Sequence, residues 1–294
     1  MEAAARGFAV MARAKFNIRL EIGAKRQDGF HALRSVVADL AVGDEVRFEG
    51  SSAFSVDCDD PAIDLDANLG YVAALNLDVD LPAVAIHIKK HLPQQAGLGG
   101  GSADAAAALR GLARVAAEAG RPIAAEALLA AAIKAGSDVA ACLYPGLKVV
   151  EGRGEKVRQL DFGPPAWGVL LLKPKGGVDT KTGYQLLDAA RVDSAGDLAD
   201  DDAIERLVAA LERRDFASAC ALAHNDFQKP VEAAYPTIAR TRERIEAAGA
   251  AVTLLCGSGS CVAGLFETVD AARTAAMLLT IAEGEWSCVT SLTA

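Results

Sequence analysis

The run Gln95-Ala96-Gly97-Leu98-Gly99-Gly100-Gly101-Ser102-Ala103-Asp104 constrains this chain more than any other segment. It follows an alternating stretch, Val84-Ala85-Ile86-His87-Ile88, and opens into Ala105-Ala106-Ala107-Ala108-Leu109, a composition that favours helix. Glycines lack Cβ, so the backbone can pass close to a ligand and take positive φ. The free N–H groups at the start of the next helix then face that ligand with a partial positive charge. The segment reads as a phosphate cradle, with a plain flexible connection between strand and helix as the competing account.

Two other phosphate motifs fail. A P-loop requires Gly-x4-Gly-Lys-Ser/Thr, and the chain contains no Gly-Lys pair. A dinucleotide fingerprint requires a third spaced glycine and an acidic residue at the end of a second strand. Here the third position is Ser102, and Glu118 falls within the helical run.

With 294 residues, 52% of them hydrophobic, the chain can bury a large core in one large domain or two fused ones. No apolar run approaches the roughly 20 residues of a membrane span. Between Met1 and Arg13 the apolar stretch Phe8-Ala9-Val10-Met11 is too short for a secretory signal, so the expected location is cytoplasmic. Six cysteines without a Cys-x2-Cys pair, several in apolar settings, suggest reduced thiols rather than a disulfide framework. A net charge of −9 speaks against a nucleic-acid surface. It also repels anionic substrates at long range, so a phosphate site must be locally positive. His87 and His91 have helical zinc spacing, but the alternation around His87 indicates strand. Four strand residues span about 13 Å, too far for one ion, so no metal site is expected.

Along the chain, Ala14 to Ile22 alternates, with Phe16, Ile18, Leu20 and Ile22 on one face and Lys15, Asn17, Arg19 and Glu21 on the other. A turn at Arg26-Gln27-Asp28-Gly29 leads to Phe30-His31 and to strands at Val36–Leu40 and Glu45–Phe48. From Ser102 the chain turns helical to Gly120. A second helix covers Ala124 to Ala135 and ends at Gly136, and a short third one starts near Ser137-Asp138. Strands return at Lys148–Gly152 and Gly168–Leu172, and Pro164-Pro165 between them marks the expected boundary between domains 1–160 and 161–294. Beyond it come helices at Asp202–Arg213 and Tyr235–Gly249, then a strand, the loop Gly257-Ser258-Gly259-Ser260 and another strand. Strands mixed with helix pairs indicate an α+β fold.

Taken in order, these segments resemble the GHMP small-molecule kinases. The likeness rests on Ala14-Lys15-Phe16-Asn17, Arg26-Gln27-Asp28-Gly29-Phe30-His31, Pro93 to Asp104, Gly136-Ser137-Asp138-Val139, Glu151-Gly152-Arg153-Gly154, Asn225-Asp226-Phe227 and Gly257-Ser258-Gly259-Ser260. The resemblance implies two domains, a ribosomal protein S5 domain 2-like N-terminal one and a ferredoxin-like C-terminal one. It also implies ATP and Mg²⁺ as cofactors. The triple glycine together with the Asp-Gly-aromatic-His run points to the branch that phosphorylates a hydroxyl of a CDP-linked sugar alcohol, CDP-methylerythritol. No nucleic-acid or membrane partner is expected.

The resemblance also assigns roles. Lys15 and Asp138 would be catalytic, Asp138 taking the hydroxyl proton and Lys15 pairing with it and holding charge near the phosphoryl. From the residues alone a solvated lysine is the usual account of Lys15, and a helix N-cap is the competing account of Asp138. Pro93-Gln94-Gln95-Ala96-Gly97-Leu98-Gly99-Gly100-Gly101-Ser102-Ala103 would bind ATP, with Ser102 capping the helix and touching phosphate or the hydrated Mg²⁺. Asn68 and Lys90 would lie near the adenine. Asn17 would place the erythritol end, and His31 would bond the cytosine beside the π face of Phe30, although a structural histidine is common. Gly257, Ser258 and Gly259 would approach the substrate diphosphate, although the loop could be only a hairpin turn. Phe30 replaces a tyrosine of the family, Ala103 a serine and Ala140 a proline, while Asn68-Leu69-Gly70-Tyr71 matches its signature only in part. None of these touches Lys15 or Asp138.

Overall fold

The alternation from Ala14 to Ile22 is the middle of a longer strand, β1 (Phe8–Lys25), in a computed structural model that describes residues 7–191 and 202–294. Of the N-terminal stretch weighed as a signal, residues 1–6 lie outside the described part, and Phe8-Ala9-Val10-Met11 opens β1. The two strands expected at Val36–Leu40 and Glu45–Phe48 are one, β2 (His31–Gly50). The glycine between them is a close crossing rather than an end. A Cβ on Gly43 would lie 2.2 Å from the Ala12 carbonyl oxygen, so only glycine lets the two backbones meet there.

The chain continues through β3 (Ser55–Cys58), α1 (Leu69–Leu75), β4 (Val84–Lys89), α2 (Gly100–Glu118), α3 (Ala125–Ala135) and the single turn α4 (Val139–Cys142). Next come β5 (Lys148–Gly152), β6 (Lys156–Gln159), β7 (Gly168–Lys173), α5 (Thr180–Ala190), α6 (Asp202–Glu212) and α7 (Phe216–Leu222). The last elements are β8 (His224–Asn225), α8 (Gln228–Ala234), α9 (Pro236–Ala247), β9 (Val252–Leu255), β10 (Val262–Phe266), α10 (Val269–Met277) and β11 (Trp286–Thr293).

These elements form two compact units that interleave in sequence. One takes the described part of Met1–Ala14 with Val42–Leu92 and Gly99–Tyr144; the other takes Lys15–Ala41, Pro93–Leu98 and the described part of Pro145–Ala294. In the first, β4 pairs antiparallel with the end of β2 and parallel with β3. Val84, Ile86 and Ile88 of β4 face the core, which α2 fills with fully buried Ala105–Ala108, Leu109 and Leu112. The alanine richness has a packing reason here: small side chains let α2 lie close to the sheet, and a Cβ on Gly111 would fall 1.9 Å from the Phe48 ring.

In the second unit β11, β7, β10 and β9 are neighbours in that order, all antiparallel. Numbered along the chain, that order is 4-1-3-2, the ferredoxin-like arrangement, with α5 to α9 between the first two strands and α10 between the last two. Val169 to Leu172 of β7 are fully buried, as an apolar run covered on both faces should be. The same unit holds β5 on residues 33–37 of β2, β6 on β5, and β8 beside Arg19 and Leu20 of β1. The α+β architecture with two fused domains is the one expected.

Candidate functional site

In the first unit the glycine run opens a helix without a side-chain cap. Gly99 is the N-cap residue, left-handed at φ 68°, and α2 begins at Gly100. Ser102 is therefore inside the first turn and does not cap the helix as expected; three glycines let the helix start earlier than a serine cap would. The first N–H groups of α2 are thus open to an anion.

Beneath that turn lies a charged triad. Lys90, just past β4, donates to Asp44 and Asp104 together. The other Asp44 oxygen accepts from the His91 and Leu92 N–H groups. A Cβ on Gly100 would sit 3.4 Å from Asp44 and 3.5 Å from the Lys90 ammonium, so the bare glycine lets the triad press against the helix start. Burial pushes the Asp104 carboxyl up, Lys90 pulls it down and Asp44 pushes it up again, leaving it at about 7. Burial lowers Lys90, but the two carboxylates outweigh that and hold the ammonium above its usual range. Asp104 Oδ1 is buried with no hydrogen-bond partner. Asn68 uses its side-chain oxygen to cap α1 at Gly70 N (2.9 Å) and Tyr71 N (3.3 Å). Asp138 is the N-cap residue of α4, but its carboxylate makes no cap bond there.

In the second unit the polar face of β1 is covered, not solvated. Lys15 is 9% exposed and Asn17 4%. Lys15 Nζ donates to Asn17 (2.8 Å), Asn17 to Ser35 (2.8 Å), and Ser35 to the Arg19 carbonyl (2.6 Å). Glu21 receives Arg19 and Arg34 on the same face. Alternation alone cannot distinguish such a buried lysine from one on a solvent-facing strand.

The two glycine loops meet in this unit. Ser260 N donates to Gln95 O (3.0 Å), Cys261 N to Ala96 O (3.2 Å) and Lys15 N to Leu98 O (2.9 Å). Gly97, at φ +75°, passes so close to Cys256 that a Cβ would fall 1.7 Å from its carbonyl oxygen. A Cβ on Gly257 would lie 3.3 Å from Lys15 Nζ. Asn225 fixes that loop from behind, donating to the Leu255 and Gly257 carbonyls (2.7 and 2.8 Å). The segment does join the hairpin strands β9 and β10, but it is also bonded to the Gln95-Ala96 backbone.

Phe30 is 46% exposed, with the Arg153 guanidinium 5.0 Å from its ring centre. His31 follows it, its ring stacked on Tyr184 at 4.9 Å and bonded to Asp188 at 2.8 Å. Tyr184 in turn meets Phe227 edge-on. Arg153, Tyr184, Asp188, Asn225, Asp44 and Asp104 were not singled out from sequence as site residues. Asn225 sits in a run used for the resemblance, but Tyr184 and Asp188 lie on α5, where no local pattern marks them.

Residues 68–146 match the family described as GHMP kinases N terminal domain, and residues 207–279 match GHMP kinases C terminal. The chain is 36% identical over 265 residues to a 4-diphosphocytidyl-2-C-methyl-D-erythritol kinase of Geobacillus thermodenitrificans, 88% of either chain being covered. To the kinase of the same name from Solidesulfovibrio magneticus it is 36% identical over 279 residues, 90% of each. A crystal structure of a 4-(cytidine 5'-diphospho)-2C-methyl-D-erythritol kinase superposes with a TM-score of 0.76 at 28% identity, over 97% of this chain and 99% of that one. A homoserine kinase from Cytophaga hutchinsonii shares the fold with a TM-score of 0.71 at 17% identity, over 100% and 97%.

Proposed function

This chain belongs to the GHMP kinases, ATP-dependent phosphotransferases that act on small molecules, and we propose that it phosphorylates the 2-hydroxyl of CDP-methylerythritol. Such a reaction is a step of non-mevalonate isoprenoid precursor synthesis. The observation that carries the reading is the exposed Phe30 ring beside His31, in the same unit as Lys15 and the second glycine loop. Homoserine and mevalonate carry no nucleobase for an aromatic face and a ring nitrogen to hold. Relatives of the proposed activity match over 88–90% of this chain.

In this reading the uncapped first turn of α2 and the backbone from Pro93 to Ala103 hold the ATP phosphates, with Asn68 and Lys90 toward the adenine. Asn17 places the erythritol end, and Gly257 to Gly259 line the substrate diphosphate. Asp138 takes the proton of the 2-hydroxyl as its oxygen attacks the γ-phosphorus; the bond to the bridging oxygen breaks and ADP leaves. Phosphoryl transfer has a loose transition state, so positioning and charge matter more than early proton removal, and the buried Lys15 ammonium supplies local positive charge. Among the described residues no trio of His, Cys, Asp or Glu could hold a metal ion. Mg²⁺ would therefore ride largely on the nucleotide, with Ser102 beside it, supplying charge neutralisation at the phosphates. We place the boundary between the two family domains near Pro164-Pro165, inside the interval from 146 to 207 left by the family matches. No helix is long and apolar enough to cross a membrane among the described residues, and all six cysteines are free thiols, which supports a cytoplasmic setting.

The test is ADP release with CDP-methylerythritol, homoserine and mevalonate offered separately. Turnover is expected with the first, and Asp138→Asn should lower it roughly 10²–10⁴-fold. Release with only homoserine or mevalonate would overturn the substrate assignment, and an undiminished Asp138→Asn would remove Asp138 from the chemistry.

A further inference from the structure

The His31 ring is held on two sides by one helix. Tyr184 and Asp188 are four residues apart on α5, so they share a face, and both meet the imidazole. The ring is 8% exposed, whereas Asp188 is 48% exposed. The same helix packs against the second glycine loop, where a Cβ on Gly183 would fall 2.9 Å from the Ser258 side chain. Its far end is tied down by Arg191, which donates to the Ile22 carbonyl (2.6 Å) and pairs with Asp226 (2.8 Å). The helix therefore cannot drift from His31 without disturbing that loop.

An ionised carboxylate can only accept a hydrogen bond. The 2.8 Å contact from Asp188 thus places a proton on His31 Nε2. In a neutral imidazole the other nitrogen is then a pure acceptor. Nδ1 has no hydrogen-bond partner among the described residues. A cytosine has one donor on its pairing edge, the 4-amino group, whereas a uracil presents a carbonyl at that position.

We propose that Asp188 is a positioning residue that fixes the His31 proton on Nε2, leaving Nδ1 to accept from the 4-amino group of the base and so to select cytidine over uridine substrates. This rests on the reading of the substrate as a CDP-linked alcohol. Turned toward uracil, the same nitrogen faces an acceptor, and discrimination follows from that mismatch.

Two measurements on the full-length protein test it. Histidine-selective ¹⁵N NMR at neutral pH should show His31 unprotonated at Nδ1 and protonated at Nε2, and Asp188→Ala should abolish that fixed tautomer. Steady-state kinetics should show the preference for CDP-methylerythritol over its UDP counterpart falling roughly tenfold in Asp188→Ala, through KM rather than kcat, because one hydrogen bond of about 1.4 kcal/mol is at stake. A wild-type His31 protonated at Nδ1, or an unchanged preference in Asp188→Ala, overturns the proposal. The NMR needs no substrate: the expected tautomer in a protein that does not turn over CDP-methylerythritol would sink the substrate reading while upholding the hold of Asp188 on His31.

Discussion

Asp104 is the residue where burial and charge pull hardest against each other. Its carboxyl ordinarily titrates at 3.8 but is raised to about 7 here, first by burial and then by Asp44, with Lys90 only partly offsetting them. Between those pH values the native state keeps a proton that the unfolded chain has released. The penalty is absent below about pH 4, grows as pH rises and is complete above about pH 7, on the order of a few kcal/mol. Asp104→Asn cannot titrate, so its unfolding free energy in urea should fall less than that of the wild type between pH 5 and pH 8. Parallel pH dependences in the two proteins would mean that Asp104 is ionised throughout. Lys90 and Asp104 stand in or beside segments that the sequence marks, but nothing local pairs them with each other or with Asp44, which lies 46 residues before Lys90. Lys15 carries the complementary lesson. Its place on the strand was legible from the alternation of Phe16, Ile18 and Leu20, but its burial depends on which elements cover that face, and period-two patterning does not encode them.

At the scale of elements, the glycine loop between β4 and α2 was the most legible feature, since helix propensity and glycine freedom act locally. What stayed hidden is that two glycine loops more than 150 residues apart in the chain interlock by backbone hydrogen bonds at Gln95 and Ala96. Likewise β1 and β2 are longer than their clean alternation, and the Gly43 break is a crossing of backbones, visible only once β1 lies beside it. The Asp179 cap of α5 is local, but the contacts that give Tyr184 and Asp188 their partner are long-range. The interlock can be tested at Gly97. Alanine there meets the Cys256 backbone as well as an unfavourable positive φ, whereas Gly29 has an equally positive φ but no atom within 4 Å of a Cβ. Gly29→Ala should cost about 1 kcal/mol, and Gly97→Ala about 3 kcal/mol or more, in urea unfolding. Equal losses would show that the loops can part without consequence.

At the scale of the molecule, fold and substrate separate. Membership of the GHMP kinases implies phosphoryl transfer to a small molecule, but the fold by itself names no particular alcohol. In the proposed reading specificity falls to a few side chains, among them Phe30 and His31, set on a chain whose overall charge opposes nucleotide. The net charge of −9 repels nucleotides at distances where individual lysines are not resolved. Closer in, Lys15, Arg19, Arg34 and Arg153 provide positive charge, but Glu21 bonds both Arg19 and Arg34. Long-range repulsion is screened first as salt is added, since the Debye length shrinks from about 30 Å at 0.01 M to about 8 Å at 0.15 M. The kcat/KM for ATP at fixed free Mg²⁺ should therefore rise, by up to about threefold, over that range of ionic strength. A steep fall instead would mean that a local positive field reaches far enough into solvent to gather nucleotide, and that the acidic surface plays no part in its approach.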